Sequence, residues 1–262
     1  MNETNRQYHL CISPGDVGSY CILPGDPGRC EQIAKRLASP RLVSRNREYE
    51  IWNGELCGVT VTVCSTGIGG PSAAIAVEEL ANCGAHTMIR VGTCGGISLD
   101  VRSGDAVIAT GAVRQEGTTA EYAPLAYPAV ASHEVLFALC REARERGIPH
   151  HVGVVQSKDS FYGQHSPDRM PVEARLKELW EAWRRLGVLA SEMEASTLFT
   201  VGAYRRLRCG AVFLSVWNQE RASAGLDTDA DETHDTSLAI DLAIGALRRL
   251  IEEDREKSNK IV

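Results

Sequence analysis

The segment of residues 88–97 combines an apolar run with an arginine, a threonine and three glycines. The run is typical of a buried strand, and a buried Arg90 is costly unless a carboxylate or an anion pairs with it. Glycines have no Cβ, so they let the backbone approach a ligand closely. Arginine, backbone N–H groups and the Thr93 hydroxyl at a strand end predict an oxyanion site. An ordinary glycine-rich turn with Arg90 paired internally is the alternative.

Two further predicted strands end in turns of the same kind. Gly25 and Arg29 lie between a strand at residues 19–23 and a helix that starts at Pro27, where helix N–H groups attract anions. Residues 65–72 form another glycine-rich turn before a helix. Ligands bind at the carboxyl ends of strands in open α/β sheets, so three such ends favour one shared site. Taken alone, Arg29 is better explained as a solvated residue of the first helical turn.

Two carboxylates, Glu192 and Glu194, flank Met193 at a predicted strand-to-helix junction. From such a junction both side chains can reach one pocket, although they would diverge within a helix. Paired carboxylates beside an anion site suggest that they bind hydroxyl groups, as in a sugar diol. The alternative is a solvated acidic helix N-terminus, which the helix dipole favours.

Composition restricts the class of protein. The 262 residues allow one large domain or two small ones. The net charge of −6 argues against nucleic acid or an anionic membrane as the main partner. The sequence shows no signal peptide and no apolar run long enough to span a membrane. The nine cysteines form no Cys-x-x-Cys pair, which predicts reduced thiols and a cytoplasmic location.

Alternating strand and helix patterns predict a single α/β domain over residues 1–262, with a central twisted sheet and helices on both faces. Asn53-Gly54 predicts a hairpin turn. Residues 159–171 form a long loop rich in polar and aromatic side chains, which is typical of functional loops. The charged residues 255–262 predict a disordered tail.

Several segments, in this order along the chain, resemble the nucleoside phosphorylase-I family, and within it the branch that acts on uridine. They cover most of the chain from His9 to Asn218: residues 24–29, 47–48, 64–72, 90–93, 161–164 and 192–194. The resemblance implies a phosphorylase/hydrolase-like fold with a mixed, partly barrel-like sheet. It also implies phosphorolysis of uridine to uracil and ribose 1-phosphate, with phosphate as co-substrate and no organic cofactor.

The resemblance further implies a role for each matched residue. The residues expected to bind phosphate are Gly25, Arg29, Arg90 and Thr93, with Arg47 from a neighbouring subunit. Those expected to contact the ribose are Thr93, Glu192, Met193 and Glu194, with His9 from the neighbouring subunit. The expected catalytic residues are Arg29, Arg90 and Glu194.

The base is expected to stack on Phe161 and to hydrogen-bond with Gln164. The family places an arginine two residues after this glutamine, but Ser166 stands there, so Arg169 is the nearest replacement. Purine-specific bacterial relatives carry an aspartate after the last buried strand. Asn218 stands in that stretch here, which favours a pyrimidine.

The resemblance also implies an assembly. In enterobacterial-type relatives, two subunits hold a potassium ion through positions that correspond to Glu48, Ile68 and Ser72, and the residue types match here. A homo-oligomer, organised as a trimer of dimers, is therefore expected. Small-molecule substrates are the expected partners, with neither nucleic acid nor membrane.

In phosphorolysis, phosphate attacks the anomeric carbon while the base leaves, through an oxocarbenium-like transition state. Arginines orient the phosphate, and its negative charge stabilises the sugar cation, so no nucleophilic side chain is required. The alternatives are a nucleosidase that uses water, a purine nucleoside phosphorylase, and a non-catalytic nucleoside-binding protein. Replacing Arg90 with alanine is expected to abolish phosphorolysis and to leave the fold intact.

Overall fold

The structure is a computed structural model that describes residues 5–259. The strands are β1 Tyr20–Pro24, β2 Ala38–Asn46, β3 Tyr49–Leu56, β4 Val59–Cys64, β5 Thr87–Gly96, β6 Ala106–Gln115, β7 Ala129–Val130, β8 His150–Lys158, β9 Ala190–Glu192 and β10 Arg208–Asn218. The α-helices are α1 Gly28–Ala34, α2 Gly70–Asn82, α3 His133–Glu145, α4 Phe161–His165, α5 Glu173–Arg185, α6 Ala195–Arg205, α7 Gln219–Ser223 and α8 Ser237–Asn259.

One mixed sheet organises the domain. Its strand order is β10-β6-β8-β9-β5-β1-β4-β3-β2, and β7 pairs with the outer part of β6. Because β10 also pairs with β5, the strands β5, β10, β6, β8 and β9 close into a five-stranded barrel. The predicted single-domain α/β fold with a mixed, partly barrel-like sheet is confirmed.

The sheet separates two hydrophobic cores. Successive side chains of β5 alternate between them, because strand side chains point to opposite faces in turn. Met88 packs in the core that α2 and α6 cover, whereas Ile89 and Val91 pack in the core that α1, α3 and α8 cover. Arg90, two residues after Met88, therefore lies on the α6 side of the sheet.

The predicted hairpin turn at Asn53-Gly54 is wrong, since both residues lie inside β3. The buried Asn53 amide donates to the Asp16 carbonyl at 2.8 Å and accepts from the Thr62 hydroxyl at 2.7 Å. A Cβ on Gly54 would lie 2.6 Å from the Leu37 Cβ, so this glycine provides space for a neighbour rather than a turn. The turns fall at residues 47–48 and 57–58 instead.

The predicted disordered tail is also wrong over residues 255–259, because α8 continues to Asn259; residues 260–262 lie outside the described part. The loop at residues 159–171 contains α4 and a 3-10 helix, Pro167–Arg169. All nine cysteines are free thiols. Across residues 5–259, no helix is long and apolar enough to cross a membrane.

Candidate active site

The ends of β1, β4, β5, β9 and β10 surround a cavity of about 840 Å³, which α4 borders on one side. Most of the predicted site residues line it: Gly25, Arg29, Glu48, Ile68, Ser72, Arg90, Thr93, Phe161, Gln164, Glu192, Met193 and Glu194. His9, Arg47 and Arg169 do not line it. The strand ends therefore converge, as the shared glycine-rich turns predict.

Two guanidinium groups, those of Arg29 and Arg90, line this cavity. Arg90 donates through Nε to Glu192 at 3.3 Å and through Nη2 to Glu194, whereas its buried Nη1 has no partner among the described residues. A Cβ on Gly25 would lie 3.8 Å from this Nη1. Partial burial lowers the pKa of Arg29, Asp26 raises it, and the charge of Arg90 lowers it further. Two neighbouring cations, one of which has a donor without a partner among the described residues, suit an oxyanion.

The Glu192 carboxylate already accepts several hydrogen bonds from within the protein. It accepts hydrogen bonds from the Glu194 N–H at 2.9 Å, from the Ala195 N–H at 2.9 and 3.0 Å, and from the Ser157 hydroxyl. It thus satisfies the first N–H groups of α6 while it holds Arg90. The acidic helix N-terminus, one of the two sequence interpretations, applies to Glu192, although it is buried rather than solvated.

Glu194 is the carboxylate better placed for a ligand. Its Oε1 accepts the Gly69 N–H at 2.6 Å and its Oε2 accepts from Arg90, which leaves further acceptor positions on both oxygens. Gly69 has a φ of 90°, a conformation that a side chain would strain. Burial raises the pKa of Glu194 above its ordinary value, and Arg90 opposes this only in part. A basic carboxylate of this kind is a strong acceptor for hydroxyl groups.

An aromatic ring and an amide also line the cavity. Phe161 is 52% exposed and packs on the ring of His165 at a centroid distance of 4.3 Å. The Gln164 carbonyl accepts from the Ser191 hydroxyl at 2.6 Å. Its amide nitrogen would lie 3.9 Å from a Cβ on Gly95, a residue of the cavity wall. Arg169 is exposed in the 3-10 helix, and the structure does not bring it to this cavity.

Sequence reasoning missed Lys158, the last residue of β8, which lines the cavity beside Gln164. It is 6% exposed, and its ammonium donates to the Ser191 hydroxyl at 2.8 Å. Burial lowers the pKa of Lys158 to about 8. A lysine next to the polar segment 159–160 normally marks a surface. The signal that could have found it is its position where β8 ends and the polar loop of residues 159–171 begins.

Asn218 does not face the cavity. Its amide nitrogen donates to the carbonyls of Ser98 and Val101 at 2.7 and 2.8 Å, and its oxygen accepts the Glu220 N–H at 3.0 Å. This fully buried side chain fixes the start of α7. Its identity therefore gives no direct information on the base, contrary to the sequence argument.

A family model described as the phosphorylase superfamily matches residues 19–252. The chain belongs to the phosphorylase superfamily. It is 51% identical over 252 residues to uridine phosphorylase of Treponema pallidum (strain Nichols), which covers 96% of this chain and 97% of that protein. It is 39% identical over 249 residues to uridine phosphorylase of Escherichia coli (strain K12), with coverages of 93% and 98%. It is 38% identical over 250 residues to guanosine phosphorylase of Halorubrum lacusprofundi, with coverages of 94% and 99%. The predicted family is confirmed.

In this phosphorylase, the residues expected to act across subunits lie away from their own cavity. The His9 Nδ1 lies 2.7 Å from the Glu79 carboxylate, which also accepts the His9 N–H at 3.0 Å. That contact leaves the His9 Nε2 available. Arg47 is exposed at the β2–β3 turn, next to Glu48. The Ser72 hydroxyl donates to Glu48 at 2.9 Å, and Ile68 is 79% exposed at the cavity mouth.

Proposed function

We propose that the protein catalyses the reversible phosphorolysis of uridine to uracil and ribose 1-phosphate, as a pentosyltransferase. The observation that carries this proposal is the buried Nη1 of Arg90, which has no partner among the described residues, near Gly25 in a cavity that Arg29 and Glu194 also line. Several similar proteins are named uridine phosphorylase. Phosphate is the co-substrate, and the chemistry needs no organic cofactor.

The geometry suggests how the reaction proceeds. Phosphate binds between Arg29 and Arg90, with the Thr93 hydroxyl as a further donor, while Glu194 accepts hydrogen bonds from the ribose diol and Met193 packs on the sugar. As the bond from C1′ to the base breaks, its electron pair passes to the base and a phosphate oxygen bonds to C1′. Holding both reactants in place supplies several kcal/mol, of the order of 7 for well-oriented groups. The phosphate charge also stabilises the developing sugar cation.

A purine nucleoside is the second candidate substrate, because the guanosine phosphorylase of Halorubrum lacusprofundi is 38% identical to this chain and Asn218 faces away from the cavity. A nucleosidase is less favoured. Water needs no cationic site, whereas two guanidinium groups line this cavity. A binding protein without activity has no need for the buried Arg90–Glu194 pair beside a free donor.

Ultraviolet-monitored cleavage of uridine and guanosine, each with and without phosphate, tests the proposal. We expect cleavage of uridine only with phosphate, and faster than cleavage of guanosine. Preference for guanosine would replace the pyrimidine assignment with the purine one. Cleavage without phosphate would indicate a nucleosidase and require another role for Arg29 and Arg90. If neither nucleoside is cleaved, the proposal of an enzyme fails.

We further propose that a twofold-related copy completes each site with Arg47 and His9, within a trimer of dimers. Glu48, Ser72 and the Ile68 backbone would then hold a potassium ion at the contact. The donor set fits, because these are oxygen ligands and Glu48 supplies one carboxylate per chain; its own N–H and the Ser72 hydroxyl hold the pKa of Glu48 below its ordinary value. The free cysteines support a cytoplasmic location.

A further inference from the structure

Glu79, near the end of α2, is buried and lies outside the cavity, yet its carboxylate holds the chain segment that precedes β1. It accepts the His9 N–H at 3.0 Å and the Leu10 N–H at 2.7 Å, and it lies 2.7 Å from the His9 Nδ1. A buried carboxylate is costly unless several donors satisfy it. Three donors from two consecutive residues therefore fix both the backbone and the ring of His9.

The contact with Glu79 also sets which ring nitrogen of His9 carries the proton. An ionised carboxylate only accepts hydrogen bonds, so the Nδ1 that faces it must donate. A neutral imidazole has a single N–H, and its other nitrogen is then an acceptor. The His9 Nε2 has no hydrogen-bond partner within residues 5–259, and the side chain is 30% exposed. The structure thus presents one acceptor nitrogen, in a fixed direction, at the surface.

The same segment is joined to the strand that leads to Arg47. The Asn46 amide donates to the His9 carbonyl at 2.7 Å, and the Ser44 hydroxyl donates to the Leu10 carbonyl at 2.9 Å. Both donors belong to β2, whose last residue, Asn46, directly precedes Arg47. His9 and Arg47, the two residues proposed to complete the cavity of a second copy, therefore lie close together on one surface of the chain.

We propose that Glu79 is a positioning residue: it makes the His9 Nε2 an acceptor, and so selects nucleosides whose 5′ group donates a hydrogen bond. This rests on the proposed phosphorolysis and on the proposed action of His9 in the site of a second copy. A 5′-hydroxyl donates to the Nε2, whereas a hydrogen at that carbon leaves the ring nitrogen without a partner. Glu79 itself does not line the cavity, so it acts only through His9.

The test compares Glu79→Gln with wild type on uridine and on 5′-deoxyuridine, which lacks the 5′-hydroxyl, at saturating phosphate. An amide has one acceptor atom and one donor atom, so it cannot bind all three donors and releases the His9 ring. We expect kcat/KM for uridine to fall about tenfold, the size of one neutral hydrogen bond, and kcat/KM for 5′-deoxyuridine to change less than about threefold.

Two further variants make the comparison specific. His9→Ala should show the same selective loss on uridine, and adding Glu79→Gln to it should cost nothing more, because both changes remove one interaction. Glu78→Gln is the matched control. It changes the preceding residue of α2, whose carboxylate pairs with Arg205 instead, and it should keep the wild-type preference for uridine.

Equal losses of Glu79→Gln on the two nucleosides would overturn the assignment, because a general structural defect does not distinguish a 5′-hydroxyl from a hydrogen. A selective loss in His9→Ala without one in Glu79→Gln would also overturn it. Neutron diffraction from wild-type crystals at roughly pH 8, where imidazoles are ordinarily neutral, tests the assignment even if the variants do not fold. We expect the ring hydrogen of His9 on Nδ1, and a hydrogen on Nε2 would overturn the proposed acceptor.

Failure of this assignment and failure of the proposed function give different results. If wild type with phosphate cleaves neither nucleoside, the proposed phosphorolysis fails, and the role of Glu79 fails with it. If wild type cleaves both nucleosides equally well, phosphorolysis stands but His9 does not bind the 5′-hydroxyl, which overturns the role of Glu79 alone.

Discussion

At the residue scale, the active-site charges form one buried cluster. Arg90 bonds to both Glu192 and Glu194, and Lys158 lies beside the two carboxylates. The cluster holds two cations, Arg90 and Lys158, and two carboxylates. Its formal charges therefore balance before phosphate binds. Sequence reasoning predicted Arg90 and Glu194 as members of one site but not their direct bond, because that bond joins residues 104 positions apart.

The cluster predicts a loss of stability for Arg90→Ala, a variant that the sequence alone expects to leave the fold intact. Removing Arg90 leaves Glu192 and Glu194 buried without their nearest cation, which costs about 3–5 kcal/mol for a broken buried pair. Arg29 is a cleaner probe, since its nearest carboxylate, Asp26, is 4.0 Å away and exposed. We expect Arg29→Ala to raise the KM for phosphate at least tenfold, with a stability change below about 1 kcal/mol. Urea unfolding measures the stability of the Arg29→Ala and Arg90→Ala variants, and phosphate titration measures their KM. If both variants lose the same stability, the difference expected from the buried ion pairs is contradicted.

At the element scale, local signals predicted most of the fold. Strand runs that end in glycine-rich turns, as at Gly25 and Gly69, are encoded within a few residues, and the structure places these turns on the cavity. The failures depend on contacts that are distant in sequence. Asn53 is held in β3 by Asp16 and Thr62, and the last turns of α8 are held by β1 and β10. Composition alone cannot reveal such partners.

Asp254 is the residue that ties the end of α8 to the sheet. It accepts from Arg208 at 2.9 Å and from the Tyr20 hydroxyl at 2.7 Å. Burial raises the pKa of Asp254, but these two donors outweigh it and hold that pKa below its ordinary value of 3.8. A lowered folded-state pKa stabilises the protein above the unfolded-state pKa, and this stabilisation is lost as the pH falls through the folded-state pKa.

We therefore expect Asp254→Asn to destabilise the protein by about 1 kcal/mol at pH 7. That corresponds to a melting temperature lower by about 2–4 °C. The difference in melting temperature between this variant and wild type should narrow as the pH falls below 3.8, because the Asp254 carboxyl of the wild type then also becomes neutral. Calorimetric melts over that pH range test this, with Glu253→Gln on the exposed face of α8 as control. If the difference in melting temperature stays constant with pH, the charge of Asp254 is not the cause of the stabilisation.

At the scale of the whole molecule, barrel closure and the pairing of β1 with β5 bring together side chains that the sequence separates widely. Arg29 follows β1, Arg90 lies in β5, Lys158 ends β8, and Glu194 follows β9. His9 and Arg47, like Arg169, do not line the cavity of their own chain. Glu79 nevertheless fixes the His9 ring, although the ring is partly exposed and contacts nothing in that cavity. These two residues favour a site that only an assembly completes.

Mixing two damaged chains distinguishes a shared site from a self-contained one. In a twofold dimer of an Arg29→Ala chain and an Arg47→Ala chain, one site lacks both arginines and the other keeps both, if Arg47 acts across the contact. Random pairing makes half of the dimers mixed, so co-expression should restore about a quarter of wild-type activity.

The matched control pairs Arg29→Ala with Glu194→Gln, whose residues act in their own chain. Every mixed site then lacks one group, so we expect no recovery above the separate variants. Activity is measured on the unselected co-expressed mixture, and capture through two different tags shows separately that mixed assemblies form. If co-expression of the Arg29→Ala and Arg47→Ala chains recovers no activity although mixed assemblies form, Arg47 does not act across the contact. Each chain must then build its phosphate site alone.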